Sequence, residues 1–333
     1  MRRIIIGLSI SLPNGREAAA PGKTQALFFN SRKEDLMAVS SKFILEQGPV
    51  LKELGRTALT TVKQGFVKPS GNVPSTPGRE YRQVLPPRSK ELVKTYVKHV
   101  GGDPSRYKTT VPPHLFPQWG FALASKTLTD IPYPLVKVMN GGCRLEINGD
   151  LPNDKHLVVC ARLENIDDNG SRAVLHQRIT TGTIDQPDAV VANLFAIVPL
   201  SNKNKPKGPK KPKPRVPETA QELEYWRIGP KAGLDFAKLT GDFNPIHWIP
   251  VHAKAFGFKN TILHGFSTMA RAMEGLNSTR FSDGSSIGMF DAQFTRPLVL
   301  PGNAGLYIEG EDKVYVGNAA GGAAYMVGTY KAR

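Results

Sequence analysis

The sequence predicts an α+β architecture repeated twice along the chain, and three observations carry that expectation. The chain can be laid on itself: "YVKHVGGDPS" (Tyr96 to Ser105) matches "FAKLTGDFNP" (Phe236 to Pro245), with Asp103 opposite Asp242. Further on, "PPHLFPQWGFALA" matches "TILHGFSTMA", with His114 opposite His264. In both copies an apolar helical pattern is then followed by strand-like runs, the order expected when one long helix lies against an antiparallel sheet.

Taken in chain order, residues 1–45 carry little periodic pattern and read as an extension. "GPVLKELGRTALTTVKQG" (Gly48 to Gly65) has Val50, Leu51, Leu54, Ala58 and Leu59 on one face and predicts a helix. "VKPSGNVPSTPGRE" is a Pro/Gly/Ser loop, and "RSKELVKTYVKHVGGDP" is a second helix ended by Gly101 and Gly102. The runs "KHLVVCARLENI", "SRAVLHQRITTG" and "AVVANLFAIVPL" then predict strands. In the second copy a helix is expected over His264 to Leu276, with Phe266, Met269, Ala270, Met273 and Leu276 as its core face. "SIGMFDAQFTRPLVL", "AGLYIEGEDKVYVG" and "AAYMVGTYKAR" supply its strands. The boundaries drawn are 1–45, 46–200, a linker over 201–219, and 220–333.

The formal charge of +16 on 333 residues favours anionic partners. Much of it sits in "SNKNKPKGPKKPKPR" (Ser201 to Arg215), which has seven basic side chains, no acid and no aromatic. Without an aromatic to stack on bases, that stretch reads as a solvated Pro/Lys linker rather than a nucleic-acid surface. "MRRIIIGLSISLPNGREAAAPG" imitates a secretion signal, but Pro13 and Glu17 interrupt it, so a cytoplasmic or organellar protein is expected. No run is long enough to span a bilayer.

The chemistry-bearing stretch is "TGDFNPIHWIPVHAKAFGFKNTILHG". Asp242, Asn244, Pro245 and His247 alone read as a capping turn with a surface histidine. Against that, the turn joins a carboxylate to a group titrating near neutrality, the pairing that water activation needs. Gly265 then opens a helix whose first N–H groups have no partner inside it and can meet developing negative charge. The aspartates are 139 residues apart and the histidines 150, so the first copy has lost about eleven residues and any counterpart of His247. His247, His252 and His264 fit no common zinc spacing, and no metal or other cofactor is expected. There is no dinucleotide glycine loop and no Gly-x-Ser-x-Gly elbow. Cys143 and Cys160 read as buried packing residues.

This stretch resembles the hydratase signature of the MaoC-like dehydratases, the (R)-specific enoyl-CoA hydratases of hot-dog fold. A weaker likeness runs through "FTRPLVLPG" and the first copy, over most of residues 80–333. The resemblance implies a tandem hot-dog, each half an antiparallel sheet around a long central helix, with 46–200 the degenerate copy and 220–333 the catalytic one. It implies a hydro-lyase acting on trans-2-enoyl thioesters, in which Asp242 and His247 activate water, Gly265 N–H holds the thioester oxygen and Asn244 orients the pair. His264 and Ser267 would be supporting substrate contacts. The shortened first copy implies an opened acyl channel and longer chains. Acyl-CoA is the expected substrate, with an acyl carrier protein the other carrier of the same arm, and the expected assembly is a pseudo-dimer of the two halves, with a homodimer of such chains as the further option. The competing readings are a hot-dog thioesterase and a non-catalytic module binding an acyl carrier or nucleic acid.

Overall fold

Alternating apolar and polar side chains make two-faced ribbons, and ten such ribbons pair into one antiparallel sheet. The computed structural model describes residues 38–45, 72–129, 131–135, 138–200, 212–281 and 284–333. The helix expected over Gly48 to Gly65, most of the basic linker and the run to residue 37 lie outside the described residues. The first half supplies β1 (Tyr81–Leu85), β2 (Met139–Ile147), β3 (Leu157–Asp168), β4 (Arg172–Gly182) and β5 (Val190–Pro199). The second supplies β6 (Gln221–Ile228), β7 (Ile287–Phe294), β8 (Gly302–Glu309), β9 (Lys313–Gly317) and β10 (Ala324–Ala332).

Their order is β1-β3-β4-β5-β2-β7-β10-β9-β8-β6. Outward from the centre, each half runs second, fifth, fourth, third, first. The halves meet at β2 and β7, where Cys143 faces Ala292 and Leu145 faces Phe290. At this seam Gly142 lies so close to the Ala292 carbonyl that a Cβ would overlap it. Besides a four-residue helix at Lys42–Leu45, the described residues form the helices α1 (Lys90–His99), α2 (Pro117–Thr127), α3 (Ala232–Thr240), α4 (Pro250–Ala255) and α5 (Gly265–Thr279). The repeated strand order, with α2 and α5 as the long helix of each half, is the tandem hot-dog that the resemblance implied.

Helix α5 shows why the halves need one another. The expected core face is buried throughout, from Met269 at 0% to Phe266 at 5% exposed. Its polar side is buried as well, including Arg271, Glu274 and Asn277. Buried polar groups must be hydrogen-bonded, and here the first half supplies partners. An Arg271 guanidinium nitrogen donates to the His99 carbonyl at 2.8 Å. His114 Nε2 lies 2.7 Å from Glu274 Oε1, and Tyr107 Oη donates to that same oxygen at 2.5 Å. Asn277 Nδ2 donates to Tyr107 Oη at 3.2 Å, and Tyr96 Oη donates to the His114 carbonyl at 2.8 Å. Gly102 leaves the room that the Glu274 carboxylate fills.

Two boundaries and two strands differ from expectation. Val39 and Phe43, assigned to the 1–45 extension, are buried in the main core. Val39 N–H donates to Asp235 Oδ1 and its carbonyl accepts from Lys238 Nζ, so this stretch is bound to α3. The linker expected over 201–219 is docked at its far end. There Arg215 bridges Ala323, Val216 is buried, and Arg296 donates to the Lys213 carbonyl. Strands β1 and β6 precede the first helix of each half and were not foreseen.

His114→Ala would leave the Glu274 carboxylate buried beside an empty space. The expected cost is about 3–5 kcal/mol, the range for breaking a buried pair. Urea unfolding would measure it, and a wild-type midpoint would contradict this account of the interlock.

Candidate active site

The site is assembled from three consecutive pieces of the second half. Helix α3 ends at Gly241, which takes the left-handed conformation (φ 81°) and closes the helix with its N–H on the Ala237 carbonyl at 2.8 Å. The chain then turns through Asp242 and Asn244 into a single 3-10 turn, Pro245–His247. Proline starts this turn, and Asn244 Oδ1 caps it by accepting from Ile246 N–H at 3.3 Å. Trp248 Nε1 donates to the Phe243 carbonyl at 3.1 Å and closes the loop. Helix α4 follows, and it has no counterpart in the first half.

The second piece is the extended segment Thr261–Leu263. Leu263 N–H donates to the Leu298 carbonyl at 2.8 Å, and Ile262 N–H donates to Ile246 O at 3.2 Å. This segment sets the state of His247, whose Nδ1 lies 2.8 Å from the Ile262 carbonyl. A carbonyl only accepts, so Nδ1 carries the proton and Nε2 keeps its lone pair. The side-chain donor atoms of Asp242, His247 and His264 all lie within 4.8 Å of one another.

The third piece is the start of α5. His264 is the residue before Gly265, and its Nε2–H donates to the Asp242 carbonyl at 2.9 Å. Gly265 opens the helix, and a Cβ there would come within 2.8 Å of the Phe294 ring. Ser267, in the first turn, is fully buried, and its hydroxyl has no hydrogen-bond partner among the described residues.

Electrostatics shift all three groups toward their neutral forms. Burial pushes the Asp242 carboxyl up, opposed by the His247 imidazole and the Asn244 N–H. Burial pulls His247 down, opposed by Asp242 and the Ile262 carbonyl. His264 is held well below the ordinary histidine range by burial and by His247. Such a pair, an imidazole base beside a carboxyl reluctant to ionise, can take a proton from one atom and give one to another.

Of the six site residues read from the sequence, the structure brings Asp242, His247, His264 and Gly265 together, with Ser267 one turn along the helix. Asn244 is exposed, and its side chain works on the main chain of the turn. His252 stands apart on α4, stacked on Phe256 at 4.7 Å. Asp242, His247 and His264 are close enough for a cation, and the two imidazoles stack with ring centroids 3.6 Å apart. Burial pushes the Cys143 thiol up, as suits a packing residue. In the first half Asp103 caps an exposed turn through Ser105, and His114 is bound to Glu274, so the matching residues are employed elsewhere. Two contributors were missed: the Ile262 carbonyl, invisible in any motif, and Gly233. A Cβ at Gly233 would overlap the carbonyl oxygen of His247. A glycine in the first turn of a helix gives no such signal.

The chain is similar to known proteins in sequence and in fold. Residues 202–322 match the family model described as MaoC like domain. A 3-hydroxyacyl-thioester dehydratase X of Mycobacterium tuberculosis is 39% identical over 103 residues, 31% of this chain and 34% of that protein. The chain thus spans about a third of the length of that relative. An enoyl-CoA hydratase of the same organism is 28% identical over 55% of this chain and 67% of its own length. The crystal structure of HtdX from Mycobacterium tuberculosis superposes with a TM-score of 0.61 at 22% identity, covering 76% of this chain and 99% of that one. That of the peroxisomal multifunctional enzyme type 2 from Drosophila melanogaster gives 0.58 at 21%, covering 76% and 48%. At these identities the superpositions establish the fold.

Two outcomes follow. Gly233→Ala should displace His247 and lower turnover about 100-fold, the scale for a shift near 1 Å, as steady-state kinetics would register. Unchanged kinetics would remove Gly233 from the site. The second concerns acid. His99 is held down to about 3 by burial and by the Arg271 charge, so it is neutral when folded and protonates near pH 6.5 when unfolded. The unfolded chain therefore binds more protons below pH 6.5. The stability tied to this group is whole above that pH and falls toward pH 3, by about 1.4 kcal/mol per pH unit. Urea unfolding at pH 7.5 and 5 would measure the trend, and greater stability at pH 5 would contradict it.

Proposed function

We infer that this chain, whose residues 202–322 match the MaoC-like domain model, is a hydro-lyase that adds water to trans-2-enoyl thioesters. The product is the (3R)-hydroxyacyl thioester, and the reverse reaction is the dehydration. The observation that carries this reading is the Asp242–His247 pair, with the His247 Nε2 lone pair freed by the Ile262 hydrogen bond, beside the opening amide of α5. In the forward direction His247 Nε2 takes a proton from water while the oxygen bonds to C3. The π electrons move onto the thioester oxygen, where the Gly265 N–H receives the charge. The proton lost from water is replaced at C2 by one from the same pair, for which a carboxyl pushed up by burial is suited. A lost oxyanion donor costs about 3–4 kcal/mol of barrier, so the amide matters as much as either side chain.

Support for the thioester comes from the names of the relatives, a 3-hydroxyacyl-thioester dehydratase and an enoyl-CoA hydratase. The medium or long chain is inferred from the shortened first copy, with an aromatic cluster packed at the start of α5. Phe266 packs against Phe294 at 5.9 Å and against Phe116 and Phe121 of the first half at 5.4 and 5.3 Å. Acyl-CoA is the expected carrier form, with an acyl carrier protein presenting the same arm.

Loss of enoyl absorbance tests the reading, using crotonyl-CoA and a ten-carbon enoyl-CoA. The wild type should consume both, the longer faster, and Asp242→Asn should be slower by about 10²–10⁴-fold, the usual contribution of a positioned acid or base. Chiral chromatography of the product should give the R isomer. An unimpaired Asp242→Asn, or release of free thiol instead of hydration, would discard the assignment.

A further inference from the structure

We propose that His264 is a positioning residue, whose single side chain holds the carboxylate turn, the imidazole base and the opening amide of α5 in one register. This rests on the hydro-lyase reading above. The placement itself is the first argument. His264 occupies the N-cap position of α5, where Ser, Thr, Asp or Asn would satisfy the helix N–H groups. Its side chain makes no such cap and reaches across to the Asp242 carbonyl instead. A helix start thus forgoes a cap so that its last outside residue can grip the turn.

The second argument is the stack. The His264 and His247 rings lie 3.6 Å apart at 23°, and Phe236 of α3 packs against His264 at 4.9 Å. His264 is therefore clamped between the base and a helix of the core, at 1% exposure. The Asp242 carbonyl fixes the proton on Nε2, which leaves Nδ1 as a lone pair buried with no partner among the described residues. A buried unsatisfied acceptor is costly, so the ring is held there by what its other edge and its face do.

The third argument is charge. The titratable groups around His264 are Asp242, whose Oδ2 is 3.9 Å from its Nε2, His247 in the stack, and His99 from α1. Burial and the two imidazoles keep His264 neutral. When His247 takes a proton from water, it does so against an uncharged face. A charged neighbour at 3.6 Å would oppose that step.

Two variants separate these roles from simple packing. His264→Gln keeps an N–H that can reach the Asp242 carbonyl but removes the stacked ring. His264→Phe keeps a ring but removes the donor. For each, kcat and KM are measured with an enoyl-CoA across pH 5–9, and the His247 ring signals are followed by NMR over the same range. The expected result is a fall in kcat of about 10–100-fold, the scale of lost orientation, with KM changed less than about threefold. The His247 titration midpoint, and with it the acid limb of kcat/KM, should move in both variants. Wild-type kcat and an unmoved His247 midpoint in both would overturn the proposal, as would losses that merely track the folded fraction. An inactive wild type with a His247 midpoint that moves in the variants would instead refute the hydro-lyase reading and leave the positioning role standing.

Discussion

Polar groups on a helix buried from both sides are costly without partners, and α5 carries several, most of them met from the first half while the Ser267 hydroxyl is not. Its apolar face is met by the sheet of its own half. Its other face, with Arg271, Glu274 and Asn277, is met by the first half. For the charged groups the requirement is strict because an unpaired buried charge costs far more than a hydrogen bond returns. It follows that the second half is not finished by its own residues. The first half does not turn over substrate in the proposed mechanism, yet its Tyr107, His114 and His99 carbonyl satisfy the middle of the helix whose start forms the site.

The same helix transmits precision to the chemistry. Its N-terminal amide is useful only if the Asp242–His247 turn is placed within a few tenths of an ångström, and three main-chain features place it. Gly241 ends α3 where the turn must begin, Gly233 lets the His247 carbonyl lie against α3, and the Ile262 carbonyl selects the His247 tautomer. None of these is a side-chain functional group, and each follows from where backbone segments pass one another.

That distinction explains how far the sequence could be read. The repeat, the strand runs of the middle of each half and the apolar face of α5 were legible because period and composition carry them. The turn and its titratable groups were legible because residue type and close spacing carry them. Strands β1 and β6 were not: "YRQVL" is five residues long, and "QELEYWRI" carries three charged residues in eight, so neither resembles a half-buried ribbon. The burial of Arg271 and Glu274 was also invisible, since a polar helix face reads as solvated until the covering half is in place. Asn244 was expected to orient the pair, and its side chain caps the turn that carries His247.

The tandem arrangement has a consequence for symmetry. In a pair of identical subunits any change at the seam is made twice, and both centres survive or fail together. Here β2 and β7 belong to one polypeptide, so each side of the joint is free to diverge. Asp103 has become a loop fastener and His114 a socket for Glu274. Reinstating the missing imidazole would not by itself recreate a second centre, because Asp103 and His114 are already engaged by Ser105 and Glu274. The division of labour is, in that sense, irreversible by any single substitution.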